Sequence, residues 1–147
     1  MNFSIDKKEL QEALVEHSKV VPVRSTLPIL SCALFSLNKS GLKIKTTDLE
    51  QTIISQQKTK GDETGSFAVP INKLLEIVTA LTDSEIAFSV NSDFLIEINT
   101  NQGVYKITGK TPDVFPETPN TETTNNIEVE GVLFNNIVEK TGYAASK

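Results

Sequence analysis

The sequence predicts an α+β protein built from two copies of a β-α-β-β-β unit related by a pseudo-two-fold repeat. One apolar pattern with constant internal spacing begins at residues 3, 67 and 127. Its first two apolar residues lie two positions apart, which is typical of one strand face, and the next ones follow helical spacing. Three short β-like runs follow each of the first two copies, so a unit of about 60 residues occurs twice.

The first unit begins with a strand around residues 3–5 and continues as a helix over residues 7–20. Leu10 and Leu14 share one face of that helix because they are four residues apart. A hairpin turn signal, Asn-Lys-Ser-Gly, separates the first two β-like runs that follow the helix. These β-like runs cover residues 29–37, 42–46 and 51–57.

The second unit repeats this order after a polar connector at residues 59–65. Its first strand is predicted around residues 67–69 and its helix over 71–81. Turns rich in Asn, Asp, Ser and Gly separate the three β-like runs that follow. These runs cover residues 85–90, 94–99 and 104–108.

The chain divides by composition into a folded first part and a polar linker. Residues 110–126 hold three of the six prolines and many Thr and Asn residues, so we assign residues 113–126 to a linker. Residues 127–147 read as the first strand and helix of a second domain. Because such a pair cannot bury its apolar faces alone, the sequence predicts a fragment of a longer repeat protein. The first domain covers residues 1–112, with its halves at 1–60 and 61–112.

The composition excludes several classes of protein. The 147 residues contain one Cys and one His, which excludes a disulfide framework and any site built from several Cys or His ligands. No apolar run approaches the roughly 20 residues that span a bilayer, and the first residues do not resemble a signal peptide. A cytoplasmic protein is therefore the expectation.

The net charge of −5 is unevenly distributed. Residues 1–60 carry nine Lys or Arg and six Asp or Glu, a net charge of +3. Residues 61–112 carry three and seven, a net charge of −4, and residues 113–130 add five acids and no base. Although the chain is acidic, its first half is mildly basic, so a negative partner such as DNA remains open.

Few residues are candidates for chemistry. Cys32 lies in an apolar strand, which favours a buried structural thiol over a nucleophile. His17 follows the apolar face of the first helix, which favours a packed and hydrogen-bonded imidazole. Asp48 and Glu50 could form a metal pair, but an Asp between Thr47 and Leu49 more often caps a turn. The sequence thus predicts no catalytic site, no metal site and no cofactor.

The polar face of the first helix has two interpretations. It carries Lys8 and Lys19, and Arg24 follows in the next loop. An ordinary solvated face explains these residues, and so does loose contact with phosphates without sequence preference. The other residues of this face are Gln11, Glu12 and Val15.

Four motifs resemble the bacterial sliding clamp family, the β subunit of DNA polymerase III. They are Val23-Arg24-Ser25-Thr26-Leu27-Pro28-Ile29-Leu30, Thr46-Thr47-Asp48-Leu49-Glu50, Val69-Pro70 and Asp113-Val114-Phe115-Pro116. The resemblance implies the DNA-clamp fold, with helices on one face of antiparallel sheets, and no active site. It implies a processivity factor for DNA replication, in which two protomers of three domains close a homodimer ring around double-stranded DNA. DNA polymerase and clamp loader would bind a pocket between later domains, which this chain lacks.

The resemblance also implies two sets of site residues. Arg24 matches the DNA-contacting arginine of the family, and Asn72 and Lys73 occupy a helix start that is often basic there. With Lys8 and Lys19 they form the expected DNA-binding set. The expected ring-closing surface consists of Lys73, Ile77, Leu81, Tyr105 and Ile107.

Two further expectations follow from this assignment. A head-to-tail interface needs two complementary surfaces, so the chain by itself is expected to be monomeric or weakly associated. The alternative is a small non-catalytic α+β protein-binding module with no DNA role. That alternative gains if Lys8, Lys19 and Arg24 point to different sides of the fold. Core packing alone would equally explain Ile77 and Leu81.

Overall fold

The computed structural model describes residues 1–22, 24–61, 63–118 and 127–145. Its strands and helices follow the predicted order. They are β1 (Asn2–Asp6), α1 (Lys7–Ser18), β2 (Cys32–Asn38), β3 (Gly41–Thr47), β4 (Thr52–Gln57), β5 (Gly65–Pro70), α2 (Ile71–Ala80), β6 (Glu85–Val90), β7 (Leu95–Thr100), β8 (Gly103–Thr108) and α3 (Gly131–Thr141). None of the helices in the described part of the chain has the length and apolar character needed to cross a lipid bilayer.

The eight strands form two antiparallel sheets, and the two halves of the repeat exchange their first strands. One sheet has the order β1-β6-β7-β8 and the other has the order β4-β3-β2-β5. In the first sheet Phe3 of β1 lies opposite Phe88 of β6, and in the second Phe67 of β5 lies opposite Phe35 of β2. Each sheet therefore contains three strands of one half and one strand of the other.

Two short bridges repeat this exchange at the sheet edges. Ser4 of β1 exchanges two backbone hydrogen bonds of 2.9 Å with Lys60, which follows β4 of the second sheet. Ala68 of β5 makes the equivalent bridge to Lys110, which follows the last strand of the first sheet. The bridges lie at corresponding positions of the two halves, which supports the pseudo-two-fold relation.

The main core lies between the two helices and the inner faces of both sheets. Asp6 caps α1 by accepting hydrogen bonds from the backbone N–H groups of Lys8 and Glu9 at 2.9 and 3.0 Å. Leu10 and Leu14 of α1 are fully buried in this core, as are Leu74 and Val78 of α2. Helices and sheets therefore share one continuous apolar interior.

A second, smaller core lies on the outer face of the sheet β4-β3-β2-β5. It joins two of the motifs on which the family resemblance depends. Ile29 and Leu30 pack there with Phe115, and the Lys110 ammonium donates to the Pro28 carbonyl oxygen at 3.2 Å. The Leu-Pro-Ile-Leu and Asp-Val-Phe-Pro motifs thus hold the end of the domain against its sheet. The cluster consists of Ile29, Leu30, Cys32, Ala68 and Phe115.

Three predicted segments differ from the structure. The run 29–37 is not one strand, because a 3-10 helix at Pro28–Ser31 precedes β2 and Pro28 begins it. Within the segment predicted as a linker from residue 113, Phe115 is buried against the sheet. Residues 127–130 form no strand, because no partner strand lies beside them among the described residues. Residues 119–126 of the predicted linker and residues 146–147 of the predicted second-domain segment lie outside the described residues.

The third copy of the pattern is therefore present only as a helix. Along α3 the apolar side chains are exposed, as are all residues from 127 to 145. Phe134, for example, is 59% exposed. The helix predicted at this position is confirmed, and its apolar side chains have no burial partner in the described part of the chain.

Replacing Leu49 with glycine is expected to stabilise the fold by about 0.5–1 kcal/mol. Leu49 has a φ of 80° in the turn between β3 and β4, a backbone conformation that is unfavourable for any residue with a Cβ. Its side chain is 59% exposed. Urea unfolding measures the change. Leu49→Ala is the matched control, because it removes the same exposed side chain but keeps the Cβ. An equal gain in both variants would contradict backbone strain as the cause.

Candidate nucleic-acid interface

One polar stripe of α1 carries two of the predicted DNA-binding residues. Lys8 and Lys19 are 11 residues apart, which separates them by only about 20° around a helix. Lys19, the C-cap residue directly after α1, still has helical backbone geometry. Their side chains are 82% and 62% exposed, respectively. The two ammonium groups therefore lie on the same side of the helix and are both accessible.

Carboxylates on the same helix offset much of this positive charge. Lys19 Nζ lies 2.8 Å from a carboxylate oxygen of Glu16, and Lys8 Nζ lies 4.0 Å from one of Glu12. Both pairs are exposed, so water and salt screen them. The stripe is close to neutral, which suits a weak and transient contact with phosphate better than a tight one.

Arg24 is exposed in the loop that follows α1. The loop leaves the helix through backbone hydrogen bonds from Lys19 and Val20 to the last turn. Further along, the Ser25 hydroxyl oxygen accepts a hydrogen bond from the Leu27 N–H at 3.0 Å. Within the described residues no ion pair includes Arg24, so its guanidinium is available for an anionic partner.

His17 fixes the end of α1 to the neighbouring sheet. Its Nδ1 lies 2.7 Å from Thr46 Oγ1 on β3, and its Nε2 lies 2.8 Å from Ser55 Oγ on β4. Burial lowers the pKa of His17 below its ordinary value of 6.5, and the charge of Glu16 opposes this effect. The prediction of a packed, hydrogen-bonded imidazole is confirmed. The neutral ring holds the helix turn from which the Arg24 loop departs.

The start of α2 carries the remaining two predicted DNA-binding residues. Asn72 and Lys73 lie in its first turn, and both are exposed. The two helices α1 and α2 pack against each other on the side of the main core. Both polar helix faces are therefore presented by the same layer of the fold.

The predicted ring-closing residues divide into exposed and buried ones. Lys73 is exposed, and Ile77 and Tyr105 are partly buried against the core. Leu81 and Ile107 are only 2% and 5% exposed, because they point into the main core. Their side chains are therefore part of the core and have almost no exposed area.

The strand β8 carries a further exposed candidate for the ring-closing surface, which was not selected from the sequence. It forms one edge of its sheet, where Val104 is 55% exposed. Its neighbour Lys106 pairs with Glu97 on β7, with 2.7 Å between ammonium and carboxylate. The alternation along β8 could have identified Val104, because it lies on the face opposite the buried Ile107.

The candidates for chemistry have structural roles. Cys32 is buried, and burial raises the pKa of its thiol, which keeps it protonated and unreactive. Asp48 Oδ1 accepts hydrogen bonds from the backbone N–H groups of Gln51 and Glu50 at 2.6 and 2.9 Å. These bonds, first that from Gln51, lower the pKa of Asp48. Across the described residues, no group of three or more His, Cys, Asp or Glu side chains could hold a metal ion.

The two-sheet fold with paired helices is that of a DNA polymerase clamp domain. The family model described as "DNA polymerase III beta subunit, N-terminal domain" matches residues 1–119, and the chain belongs to this family. The chain is 26% identical over 145 residues to the beta sliding clamp of Vibrio cholerae, covering 98% of this chain and 40% of that protein. It is 26% identical over 154 residues to the beta sliding clamp of Bacillus subtilis, covering 99% and 41%.

Solved structures agree with this assignment. The crystal structure of the DNA polymerase sliding clamp from Caulobacter crescentus superposes with a TM-score of 0.91 at 28% identity. The match covers the whole of this chain and 40% of that one. The chain therefore spans about two fifths of the length of these clamp proteins.

Proposed function

We propose that this chain forms the first domain of a DNA sliding clamp, a non-catalytic processivity factor that tethers the replicative polymerase to duplex DNA in the bacterial cytoplasm. The observation that carries the proposal is the common side of Lys8 and Lys19 on α1, with Arg24 in the loop directly after it. Family membership supports the same function. The protein-binding alternative would gain if the cations pointed to different sides of the fold, and the shared side of Lys8 and Lys19 on α1 does not favour it.

The proposed DNA contact is weak because carboxylates already pair with its lysines. The salt-bridged lysines and the exposed Arg24 attract the phosphate backbone but read no base edges. Because the carboxylates of Glu12 and Glu16 compete with phosphate for the same lysines, residence on any one site is short. Asn72 and Lys73 extend the contact along α2. A ring that holds DNA by enclosing it needs no stronger contact, and it can slide.

The proposed ring-closing surface is narrower than the sequence suggests. It uses the exposed edge of β8 with Val104 and Tyr105, together with Lys73 and Ile77 on α2. An edge strand has unpaired backbone N–H and C=O groups. A strand of a second protomer could pair with them and extend the sheet. Leu81 and Ile107 hold this surface in place from the core. We propose that polymerase and clamp loader bind elsewhere in the assembled protein.

The first clamp domain, as we propose it, extends to residue 118. The small core around Phe115 and the contacts of Pro116 and Thr118 belong to the fold of the domain. A linker then starts after these residues, and the segment from 127 begins a second domain.

The DNA contact is tested by an NMR titration of the 147-residue chain with 20-base-pair duplexes of two unrelated sequences. At about 50 mM salt we expect weak, sequence-independent shifts along α1, in the Arg24 loop and at the start of α2. These shifts should vanish above roughly 200 mM salt because counterion release drives the contact. Arg24→Ala should weaken binding about threefold or more. Shifts confined to the outer faces of the sheets would contradict the proposal.

Lys43→Ala is the matched control for Arg24→Ala. Lys43 is exposed on β3 between the buried residues Leu42 and Ile44, so it points away from the helices. Its removal takes away one positive charge, as Arg24→Ala does, without changing the proposed contact face. If Lys43→Ala weakened binding as much as Arg24→Ala, general charge and not the loop would explain the affinity.

The ring-closing proposal makes a separate prediction about association. In a head-to-tail ring the β8 edge meets a different surface of the partner, so β8 should not pair with a second β8. We expect size-exclusion chromatography with light scattering to give the monomer mass of about 16 kDa for this chain. A stable dimer that the substitution Val104→Lys dissolves would show a symmetric pairing of this edge and contradict the head-to-tail arrangement.

A further inference from the structure

Residues 111–118 form a strap across the outer face of the sheet β4-β3-β2-β5. The strap begins with a 3-10 helix at Pro112–Val114, and the Phe115 N–H donates to the Pro112 carbonyl oxygen at 3.0 Å. Phe115 is 7% exposed and fills the small core with Ile29 and Leu30. The first part of the strap is therefore held by apolar packing.

The last part of the strap is held differently. Lys45 on β3 places its ammonium 5.1 Å from the centroid of the Phe115 ring. The same ammonium donates to the Pro116 carbonyl oxygen at 2.9 Å and to the Thr118 hydroxyl oxygen at 3.3 Å. These are the only hydrogen bonds that residues 116–118 make within the described part of the chain. One side chain thus contacts three of the four residues from Phe115 to Thr118.

The surroundings of Lys45 are those of a partly desolvated cation. Leu34 and Ile54 lie opposite it on the neighbouring strands. Burial lowers the pKa of Lys45, the nearby Lys43 adds to this effect, and Glu117 opposes it. Its apolar stem lies on the sheet while its charge faces the strap, which is the usual arrangement of a half-buried lysine.

We propose that Lys45 is a latch that fixes the position at which the chain leaves the two-sheet domain. Closed, the latch directs residues 116–118 along the outer face of the sheet. Open, it releases these residues while Phe115 and the rest of the domain stay folded. This device is independent of whether the chain acts on DNA.

The latch is weak enough to open without unfolding the domain. Two hydrogen bonds and one partly exposed cation–π contact shift an equilibrium between open and closed strap about tenfold toward the closed state. Local opening of this kind occurs in native proteins without loss of the core. Removing the charge while keeping the side-chain volume should therefore free the strap and leave the fold intact.

Cleavage by a glutamate-specific protease at the Glu117–Thr118 bond tests the latch. When opening is fast relative to cleavage, the cleavage rate follows the population of the open strap. We expect Lys45→Met to be cleaved there about ten times faster than the unchanged chain, and Lys45→Arg to remain near its rate. Lys43→Met is the matched control on the same face of β3 and should show no acceleration. Equal rates for Lys45→Met and the unchanged chain would overturn the proposal.

NMR of the lysine side chains provides a second test that needs no cleavage. The Phe115 ring should shift the Lys45 ε-methylene protons upfield relative to those of Lys43, and Phe115→Leu should abolish the difference. The amide spectrum of Lys45→Met should change along the strap and at its contacts on the sheet, with the core signals preserved. Identical ε-methylene shifts for Lys45 and Lys43 in the unchanged chain would show that the latch is not closed in solution.

Discussion

Replacing Phe67 with alanine is expected to lower the free energy of unfolding by about 3–5 kcal/mol, which is much of the stability of a domain of this size. Phe67 is fully buried on β5. Its ring centroid lies 5.3 Å from that of Phe35 in the same sheet and 6.5 Å from that of Phe3 in the other. The substitution opens a cavity where the two sheets meet. Urea unfolding followed by circular dichroism measures the loss.

Phe134→Ala is the matched control for this substitution. It removes the same side chain from α3, where Phe134 is 59% exposed. Its effect on unfolding should stay within about 0.5 kcal/mol. A comparable loss in both variants would mean that α3 is buried in solution. A small loss in Phe67→Ala alone would mean that the sheets repack and that Phe67 does not join them.

The stability of the domain is expected to fall as the pH drops below 6.5, and His17 is the cause. Because burial lowers the pKa of the folded imidazole, the unfolded chain binds a proton below pH 6.5 that the folded chain excludes. The contribution of neutral His17 is therefore present above pH 6.5 and is lost as the pH falls toward the folded pKa. In this window the free energy of unfolding should decrease by up to about 1.4 kcal/mol per pH unit.

His17→Gln isolates this effect, because His17 is the only histidine in the sequence. The variant lacks the titrating ring, so its stability should stay flat between pH 6.5 and about 5. At pH 7.5 the substitution should also cost about 2–4 kcal/mol, since the hydroxyls of Thr46 and Ser55 lose well-placed partners. Denaturant titrations at several pH values measure both effects. An unchanged slope in the variant would assign the acid sensitivity to other groups.

The carboxylates add acid sensitivity only at lower pH. Hydrogen bonds from Lys60 and Ser4 lower the pKa of Glu85, and those from Asn2 lower the pKa of Glu63. Because these pKa values are lowered in the folded protein, the stabilisation from both carboxylates is present above pH 4.5, their ordinary pKa, and is lost as the pH falls below it. The window of His17 is therefore separate from theirs.

The order of strands and helices could be predicted because each depends on local spacing. The strand Glu85–Val90 has its predicted bounds. The helices α1 and α2 begin at the predicted residues, 7 and 71, respectively. Apolar residues at fixed intervals are sufficient for this, since one face of each element must be buried. The buried positions of Cys32 and His17 followed from the same argument and are confirmed.

The exchange of first strands could not be predicted from spacing. Apolar periodicity shows which face of a strand is buried but does not show which strand lies beside it. Phe3 has the same pattern whether it pairs within its own half or with Phe88. The burial of Phe115 was missed for a related reason, because its surroundings of Pro, Thr and Asp resemble a linker in composition. Its partners, Ile29 and Leu30, lie more than 80 residues earlier.

The candidate site was predicted as a set of residues but not as a surface. Helical geometry alone places Lys8 and Lys19 on one side, so that part followed from the sequence. The neutralising pairs with Glu12 and Glu16 depend on side-chain conformations that spacing does not determine. Among the residues proposed for ring closure, Leu81 and Ile107 have the same apolar character as exposed contact residues would have. Only the packed structure separates the two roles.

The exchanged first strands also determine when this domain can fold during synthesis. Strand β1 is synthesised before the other strands of the domain, but its partner β6 ends at residue 90. Phe3 therefore cannot pair until Phe88 has been synthesised. The ribosome must therefore release most of the domain before the N-terminal strand can pair. Contacts so distant in sequence slow folding, because a long loop must close before they stabilise the chain. Until then β1 is an unpaired strand of the nascent chain, open to chaperones and to pairing errors.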